Sequence, residues 1–569
     1  MKTKFKNKRI IVSAQGYEQV LFDIGTTKFF TQFDGRGGFK SFHYANNPRY
    51  NINAQSYLNI FIDGEPLSIF TKKKVINCGR IQKIIYELED GKIVISQFGY
   101  ESFILNRIKT TFKTKKEIVL VNDYTAFVDV PKLVSNYPYE YLAPNYSYVI
   151  KANGSKDDIK IAISFTDDPK KIVRRVNSIE KQLTNEIDDI VMPEIANTEE
   201  RKALYCSSMF TALENYKEIP NFSALTAGVN YVSPFRTYYR DSYWTILCLH
   251  KEHKDIVKNQ IITLAKGIKD DGECPSAVKA DYTSFWGGHY DSPFFFVMEV
   301  FDYINHSGDN SILNEVINGK FTILELCQKV VNRMMTFADD THLIYKRGPL
   351  NRLDWADAVN RDGYVTYDEC LYYRALMCLG SILGGDNTYL KEAEVVKDAI
   401  NNILWSEDLG YYVNYIDGDY TEANLSIDTI LAVLFEIVPT DKKERFIDNL
   451  ENKLYAKNHA ELEDFGVLTV YPNYKRYTDI LSKSSLPYWY HNGANWPYWT
   501  GMFAYMLMIN GRDYEYALSH TFNFAIKNHK LTPLEYISPY FGDGSNLQAW
   551  SATPAFAMQY SKDNFFKIK

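Results

Sequence analysis

The chain has 569 residues, 46% hydrophobic and 24% charged, with 64 Lys and Arg against 70 Asp and Glu for a net charge of −6. That length predicts two or three compact units with ample material for cores. The mildly acidic balance leaves no footprint for nucleic acid or an anionic membrane, and no stretch approaches the ~18–20 apolar residues of a membrane span.

Met1 to Arg9 is basic, but the apolar run Ile10–Val12 is too short for a signal peptide. From Arg9 to about Thr166 the pattern has period two, as in Tyr57–Asp63, Lys92–Gln97 and Glu117–Asn122. Asp63-Gly64 and Asp90-Gly91 read as hairpin turns, and many short strands at this spacing predict an antiparallel β-sandwich over 1–168. Residues 169–196 are charged, poor in breakers, and read as a helical linker. Beyond Asn197 apolar residues recur at helical spacing over 199–216, 240–266, 290–305, 310–337, 367–383, 388–405, 426–437, 441–455, 496–510, 514–527 and 549–560. Successive helical hairpins without a short repeat predict an α/α toroid over 197–569, with its inter-helix loops gathered at one end. Seven dispersed cysteines (78, 206, 248, 274, 327, 370 and 378) without a CxxC pair read as buried small residues. They favour a reduced, cytoplasmic protein over a disulfide scaffold or zinc site.

All eight Trp (244, 286, 355, 405, 489, 496, 499 and 550) follow residue 243. Core demand alone spreads Trp more evenly, so the helical half is expected to hold a cleft. Carboxylates beside aromatics are the equipment for breaking glycosidic bonds: sugar C–H faces stack on aromatic planes, and the bond needs an acid and a base or nucleophile.

The first aromatic island, Tyr238 to Trp244, places Arg240-Asp241 at a helix start. Asp241 there fits either an N-cap or a partner for sugar hydroxyls. Trp286-Gly287-Gly288-His289-Tyr290-Asp291-Ser292-Pro293 is a second loop-to-helix junction whose glycines let backbone approach a ligand. Asp291 there fits a cap equally well, and His289 reads as a loop histidine ahead of a catalytic base. In Arg352-Leu-Asp354-Trp355-Ala-Asp357-Ala358, Asp357 has the apolar setting that keeps a general acid protonated. Asp354 pairs with Arg352, caps the turn, or is itself the acid. Tyr488 to Trp499 packs His491, Asn492 and Asn495 among six aromatics, including Trp496 and Trp499, and reads as ligand lining. Finally, Glu535 lies on an extended loop before Gly542-Asp543-Gly544 and Gln548-Ala-Trp550-Ser551. It suits a base holding a water, with a solvated surface glutamate as the plain alternative.

These islands resemble the six-hairpin (α/α)6-barrel glycosidases, a group with glycogen-debranching amylo-α-1,6-glucosidases, trehalases, family 63 α-glucosidases, neutral invertases and glucoamylases. Trp355-Ala-Asp357-Ala358, with Val365-Thr366 and Glu369 following, is similar to the debranching enzymes' Trp-Met-Asp-Ala segment, whose Asp is the general acid. Trp405-Ser-Glu407-Asp-Leu-Gly410-Tyr411-Tyr412 looks like their Trp-Asn-Glu…Gly-Tyr turn. Tyr490-His-Asn-Gly493 with Trp496-Pro497 resembles the neutral invertases, as does Glu535-Tyr536 with Gln548 to Ser551, where the family's Glu is the general base. Arg240 to Trp244 looks like the group's sugar clamp. The chain lacks the Glu-Ser-Gly that trehalases and family 63 members carry before their acid. Leu353-Asp-Trp-Ala-Asp357 is also similar to the Asp-Trp-Asn-Asp of inverting phosphorylases.

The resemblance implies an N-terminal β-sandwich before an (α/α)6 toroid, and an inverting exo-acting glycosidase for an α-glucosidic bond. Asp357 would be its acid and Glu535 its base. Arg240, Asp241, Trp244, Trp286, Tyr290, Asp291, Asp354, Trp355, His491, Asn492, Asn495, Trp496, Trp499 and Trp550 would meet a small carbohydrate substrate, without cofactor or metal. Two rivals stay open: an inverting phosphorylase, in which phosphate replaces water, and a non-catalytic carbohydrate-binding protein.

Overall fold

The computed structural model describes residues 1–52, 55–125, 129–347, 354–385, 387–476, 482–527 and 531–568. They form two compact units, one built on 1–221 with 228–235 and 525–533, the other on 222–227, 236–524 and 534–569.

The first unit is two antiparallel sheets. One runs in the order Lys2–Lys6, Arg9–Gln15, Lys72–Cys78, Ile81–Leu88, Gly91–Tyr100, Phe103–Phe112, Asp158–Ser164 and Lys132–Ser135. The other runs Tyr139–Leu142, Ser147–Gly154, Lys116–Thr125, Gln55–Ile62, Phe39–Tyr44, Phe29–Phe33 and Phe22–Gly25. Period-two burial gives each a dry face, with Ile84, Ile93, Ile95 and Ile108 on one and Phe29, Ile118, Leu120 and Ile150 on the other fully buried. The two faces meet: a Cβ added at Gly99 would lie 2.5 Å from Ile24 Cδ1 in the opposite sheet. Helix α1 (Val176–Asp189) covers the first sheet, and Glu180 reaches Arg107 Nη1 at 2.9 Å. Helix α2 (Glu199–Asn215), capped by Thr198, packs on the same sheet's edge strands.

Asp63 and Gly64 form the expected two-residue turn, both with positive φ. The other turn shifts by one residue. Leu88 pairs with Gly91, so Glu89-Asp90 turns and Gly91 opens the next strand. A side chain at Gly91 would place its Cβ 2.1 Å from Thr111 O on the neighbouring strand, which is why glycine stands there.

The second unit is helical. In chain order it has α3 (Tyr239–Ile246), α4 (Lys254–Ala265), α5 (Ser292–Ser307), α6 (Ile323–Met335), α7 (Thr366–Leu383), α8 (Thr388–Ala399), α9 (Leu431–Leu434, continuing the 3-10 turn Ile427–Ile430), α10 (Thr440–Leu454), α11 (Pro497–Ile509), α12 (Glu515–Lys527) and α13 (Thr553–Gln559, preceded by Ala549–Ala552). Six elements close a ring: α3 packs on α5, α5 on α7, α7 on the 427–434 element, that element on α11, and α11 on α13, whose lead-in returns to α3. Ring helices are apolar nearly all round, as burial on all sides demands; in α11 every residue but Ile509 is buried. Outer helices α4, α6 and α8 back onto ring members. Helix α10 shows the one-sided pattern of a surface helix, burying Phe446, Ile447, Leu450 and Leu454. The apolar runs over 240–266 and 310–337 are each broken in two, by the turn at 249–253 and by a small hairpin at 316–322. All seven cysteines are buried and free. No helix among the described residues is long and apolar enough to cross a membrane.

Candidate active site

Every ring element brings a polar side chain to its N-terminal end, and these side chains link into a circuit. Arg240 and Asp241 sit in the first turn of α3. Arg240 Nη1 donates to Asp291 Oδ2 at 2.6 Å, across to the start of α5. Asp291 occupies the N-cap position of α5, yet its carboxylate caps nothing, so it is free to serve Arg240. Tyr367, in the first turn of α7, donates its hydroxyl to the same Oδ2 at 3.3 Å. On the loop before α7, Arg361 Nη1 donates to Asp428 Oδ2 at 2.6 Å, and Trp355 Nε1 donates to the same oxygen at 2.7 Å. Asp428 begins the 427–434 element. Beside Asp357, the Ala358 N–H donates to His491 Nδ1 at 3.2 Å on the loop before α11. From that loop the Tyr490 hydroxyl donates to Glu535 Oε1 at 3.4 Å, on the loop before α13. The charges of Glu535 and Asp357 both act on the Asp241 carboxyl at the start of α3.

Burial raises the Asp241 carboxyl to about 7; Arg240 opposes the shift, while Glu535, Asp291 and Asp357 add to it. Three further acids around one buried acid is an arrangement a stability-driven core avoids. Asp241 is not an N-cap, since Tyr238 holds that position, and its carboxylate has no hydrogen-bond partner among the described residues. Burial pushes Asp291 the other way to its net result: Arg240 and His289 overcome it and hold the group below the ordinary carboxylate value.

Asp354 and Asp357 separate cleanly. Asp354 is 2% exposed and ion-paired with Lys346 and Arg361; its Oδ2 accepts from Arg361 Nε at 3.1 Å and its Oδ1 from the Ala356 N–H at 2.7 Å. Burial favours its neutral form, but Arg361 and Lys346 outweigh it and hold the carboxyl far below the usual range. Held ionised by these two cations, Asp354 pins the loop. Arg352, the partner expected from sequence, lies outside the described residues. The Asp357 side chain is 23% exposed, the most open carboxylate of the group, with His491 Nδ1 3.9 Å away. That nitrogen already accepts from Ala358 and burial drives His491 well below its ordinary value, so the ring is a neutral neighbour and not an ion-pair partner.

Glu535 is 6% exposed. Its Oε2 accepts from the Ser545 N–H at 3.1 Å, and a Cβ added at Gly544 would lie 2.6 Å from the Glu535 Cβ, so the glycine-rich turn is what lets the two strands of this loop close on the carboxylate. Tyr488 and Tyr490 hold left-handed φ of 63° and 48°, a conformation tolerated only where the surroundings enforce it. Asn492 accepts from Tyr474 N and donates to Ser484 O; Asn495 donates to Phe465 O and Thr521. Both asparagines fasten this loop to the unit.

The tryptophans divide. Trp244 and Trp499 have no exposed surface, and Trp496, Trp355 and Trp550 have 1%, 2% and 4%. They form a floor in which Trp355 meets His491, Trp496, Tyr498 and Trp499 edge-on. Trp286 is the exception at 47% exposed, stacked on Phe285 and held at φ 58°. Tyr290 and His289 line a cavity of about 250 Å³ beside it, with Glu273, Arg333 and Phe337. Trp405 and Tyr412 pair in a small hairpin whose Glu407 binds Lys442. Sequence reasoning placed Tyr490 only within the lining run Tyr488 to Trp499, and it missed Arg361, Tyr367 and Asp428 as site members. Asn360-Arg361-Asp362-Gly363, a charged turn four residues beyond Asp357, was the one local signal for any of them.

The architecture is that of a bacterial glucoamylase complexed with acarbose, matched with a TM-score of 0.61 at 12% identity over 97% of this chain and 95% of the other. A rhamnosidase from Klebsiella oxytoca with rhamnose bound matches with a TM-score of 0.49 at 14% identity, over 96% of this chain and 98% of the other. No curated protein matches the chain in sequence. The amylo-alpha-1,6-glucosidase family model matches residues 208–556, and the chain belongs to that family of glycoside hydrolases.

Proposed function

We propose that the protein is an inverting, exo-acting glycoside hydrolase for an α-glucosidic bond, with Asp357 as general acid and Glu535 as general base. The observation that carries this reading is the gathering of polar side chains at the ring's N-terminal end, where the loop of Asp357 is bonded through the Ala358 N–H to His491, the adjacent Tyr490 is bonded to Glu535, and both acids bear on Asp241. Asp357, the more open group, protonates the glycosidic oxygen as the C1–O bond breaks toward the aglycone. Glu535, enclosed and fixed by Ser545 and Tyr490, takes a proton from the water that attacks C1 on the opposite face. Asp241 accepts from sugar hydroxyls, and the buried tryptophans brace these loops from behind. A site walled by side chains from all six ring elements receives a chain end more readily than the middle of a chain, which favours exo action. The family, and the acarbose held by the glucoamylase of similar fold, favour an α-glucoside.

The experiment is proton NMR of the first product released from an α-glucoside. The β-anomer is expected first; initial release of the α-anomer rules out inversion. Turnover is expected without added phosphate, and strict dependence on phosphate transfers the site to a phosphorylase.

A further inference from the structure

The sheet unit contains a hollow of about 230 Å³ that plays no part in the circuit. Tyr17, Tyr57 and Phe61 give it aromatic walls, and Tyr86 and Arg36 supply its donors. Tyr86 is 4% exposed and lines the hollow. Arg36 approaches Asp34 Oδ2 at 3.8 Å, so a cation and an anion balance within the hollow and an ionic ligand gains nothing there. The site is built rather than incidental. Lys73, 2% exposed, donates to Gly16 O at 3.2 Å, Glu18 O at 2.7 Å and Gly35 O at 2.9 Å, clamping the two loops that carry Tyr17 and Arg36. Asp34 Oδ1 fixes the second loop by accepting from the Arg36 and Gly38 N–H groups. At the rim Tyr17 is 53% and Phe70 71% exposed, in edge contact at 6.4 Å. The two rings form a small exposed aromatic pair beside the hollow.

Aromatic walls, a phenol hydroxyl, a guanidinium and a balanced pair of charges suit one ligand chemistry, a neutral polyhydroxylated ring. At about 230 Å³ the hollow is smaller than the roughly 300–1,000 Å³ of a drug-sized site, a scale compatible with one sugar ring. We propose that this hollow is a second, non-catalytic carbohydrate site that takes one glucose unit of an α-glucan. The choice of sugar rests on the proposed α-glucosidase activity.

The test is calorimetric titration of maltotetraose into the full-length Asp357→Asn protein, which binds without turnover. Two sites are expected. Tyr17→Ala and Tyr86→Phe, each added to that background, should weaken one of them roughly tenfold, the equivalent of ~1.4 kcal/mol. In the otherwise wild-type protein the same substitutions should leave kcat on p-nitrophenyl α-glucoside unchanged. Tyr17 is exposed enough for its removal to spare the fold, and Tyr86→Phe removes one oxygen, so unaltered melting is expected of both. Normal hydrolysis with a single maltotetraose site indifferent to Tyr17→Ala overturns the hollow and leaves the catalytic reading intact. Conversely, tetrasaccharide binding that Tyr17→Ala weakens, in a wild-type protein that cleaves no glycoside, keeps the hollow and removes the activity.

Discussion

Replacing Asp241 by asparagine isolates the electrostatics at the centre of the site. The carboxyl moves from 3.8 to about 7 on folding, chiefly through burial and against the pull of Arg240, with Glu535, Asp291 and Asp357 adding to the rise. The folded chain therefore keeps this proton over a range in which the unfolded chain has lost it. Stability linked to the group is complete below about pH 4 and is lost as pH rises toward 7. At ~1.4 kcal/mol per pH unit the loss is ~4 kcal/mol as an upper figure. Asparagine mimics the neutral carboxyl in shape and does not titrate, so the variant should escape this loss. Asp302, Asp368 and Glu214 are also raised, to about 6, 7 and 8, but they are common to both proteins and cancel in the comparison. The assay is scanning calorimetry of wild type and Asp241→Asn at pH 4.5 and pH 8. About 1 kcal/mol of this is already lost at pH 4.5, so at about 2 °C per kcal/mol for a unit of this size the difference in melting temperature between variant and wild type should grow by up to ~6 °C in the variant's favour at the higher pH. An unchanged difference at the two pH values refutes the reasoning, because it means that Asp241 ionises in the folded state as freely as in the unfolded chain.

Arg361→Met leaves Asp354 and Asp428 buried without their shared guanidinium and should cost ~3–5 kcal/mol, seen as a lowered melting temperature; a loss below ~1 kcal/mol means that this guanidinium does not hold the two carboxylates in place. Gly544→Ala puts a methyl where the Glu535 Cβ stands 2.6 Å away. It should lower kcat by at least ~100-fold, as a small misplacement of a reacting group does, with melting little changed; near-normal kcat means that the loop closing on Glu535 is not what positions the base.

Much of the helical unit was legible because apolar spacing reports burial, and burial is what the ring demands. Its breaks were less so. The run over 240–266 contains neither glycine nor proline at 249–253, where hydrogen bonds such as His253 N to Leu249 O close a turn that composition does not announce. Acidic members of the site were visible beside aromatics, but their supports were not. Arg361 and Asp428 are 67 positions apart, and a buried ion pair leaves no local pattern. Tyr490 was legible only as part of an aromatic run, since left-handed backbone is ordinarily signalled by glycine and here tertiary contacts impose it. Gly91 misled for the opposite reason: it answers a neighbouring strand's carbonyl, not a turn.

The clustering of tryptophan in one half of the chain pointed to a cleft, and its physical meaning is one step removed from sugar stacking. Among the described residues, the buried Nε1 atoms of Trp244, Trp499 and Trp550 and the Tyr498 hydroxyl have no hydrogen-bond partner. Each such group costs ~1–3 kcal/mol, so phenylalanine would serve a floor selected for stability alone. What indole offers is area and shape. Trp355 alone touches the rings of His491, Trp496, Tyr498 and Trp499 while its Nε1 fixes Asp428. One rigid plate thus sets the Asp357 loop and the His491 loop against each other. Under the proposed inverting mechanism the site must hold two carboxylates on opposite sides of a C1 atom and tolerates little play, and unpaired donors beneath it fit a place where rigidity was favoured over stability.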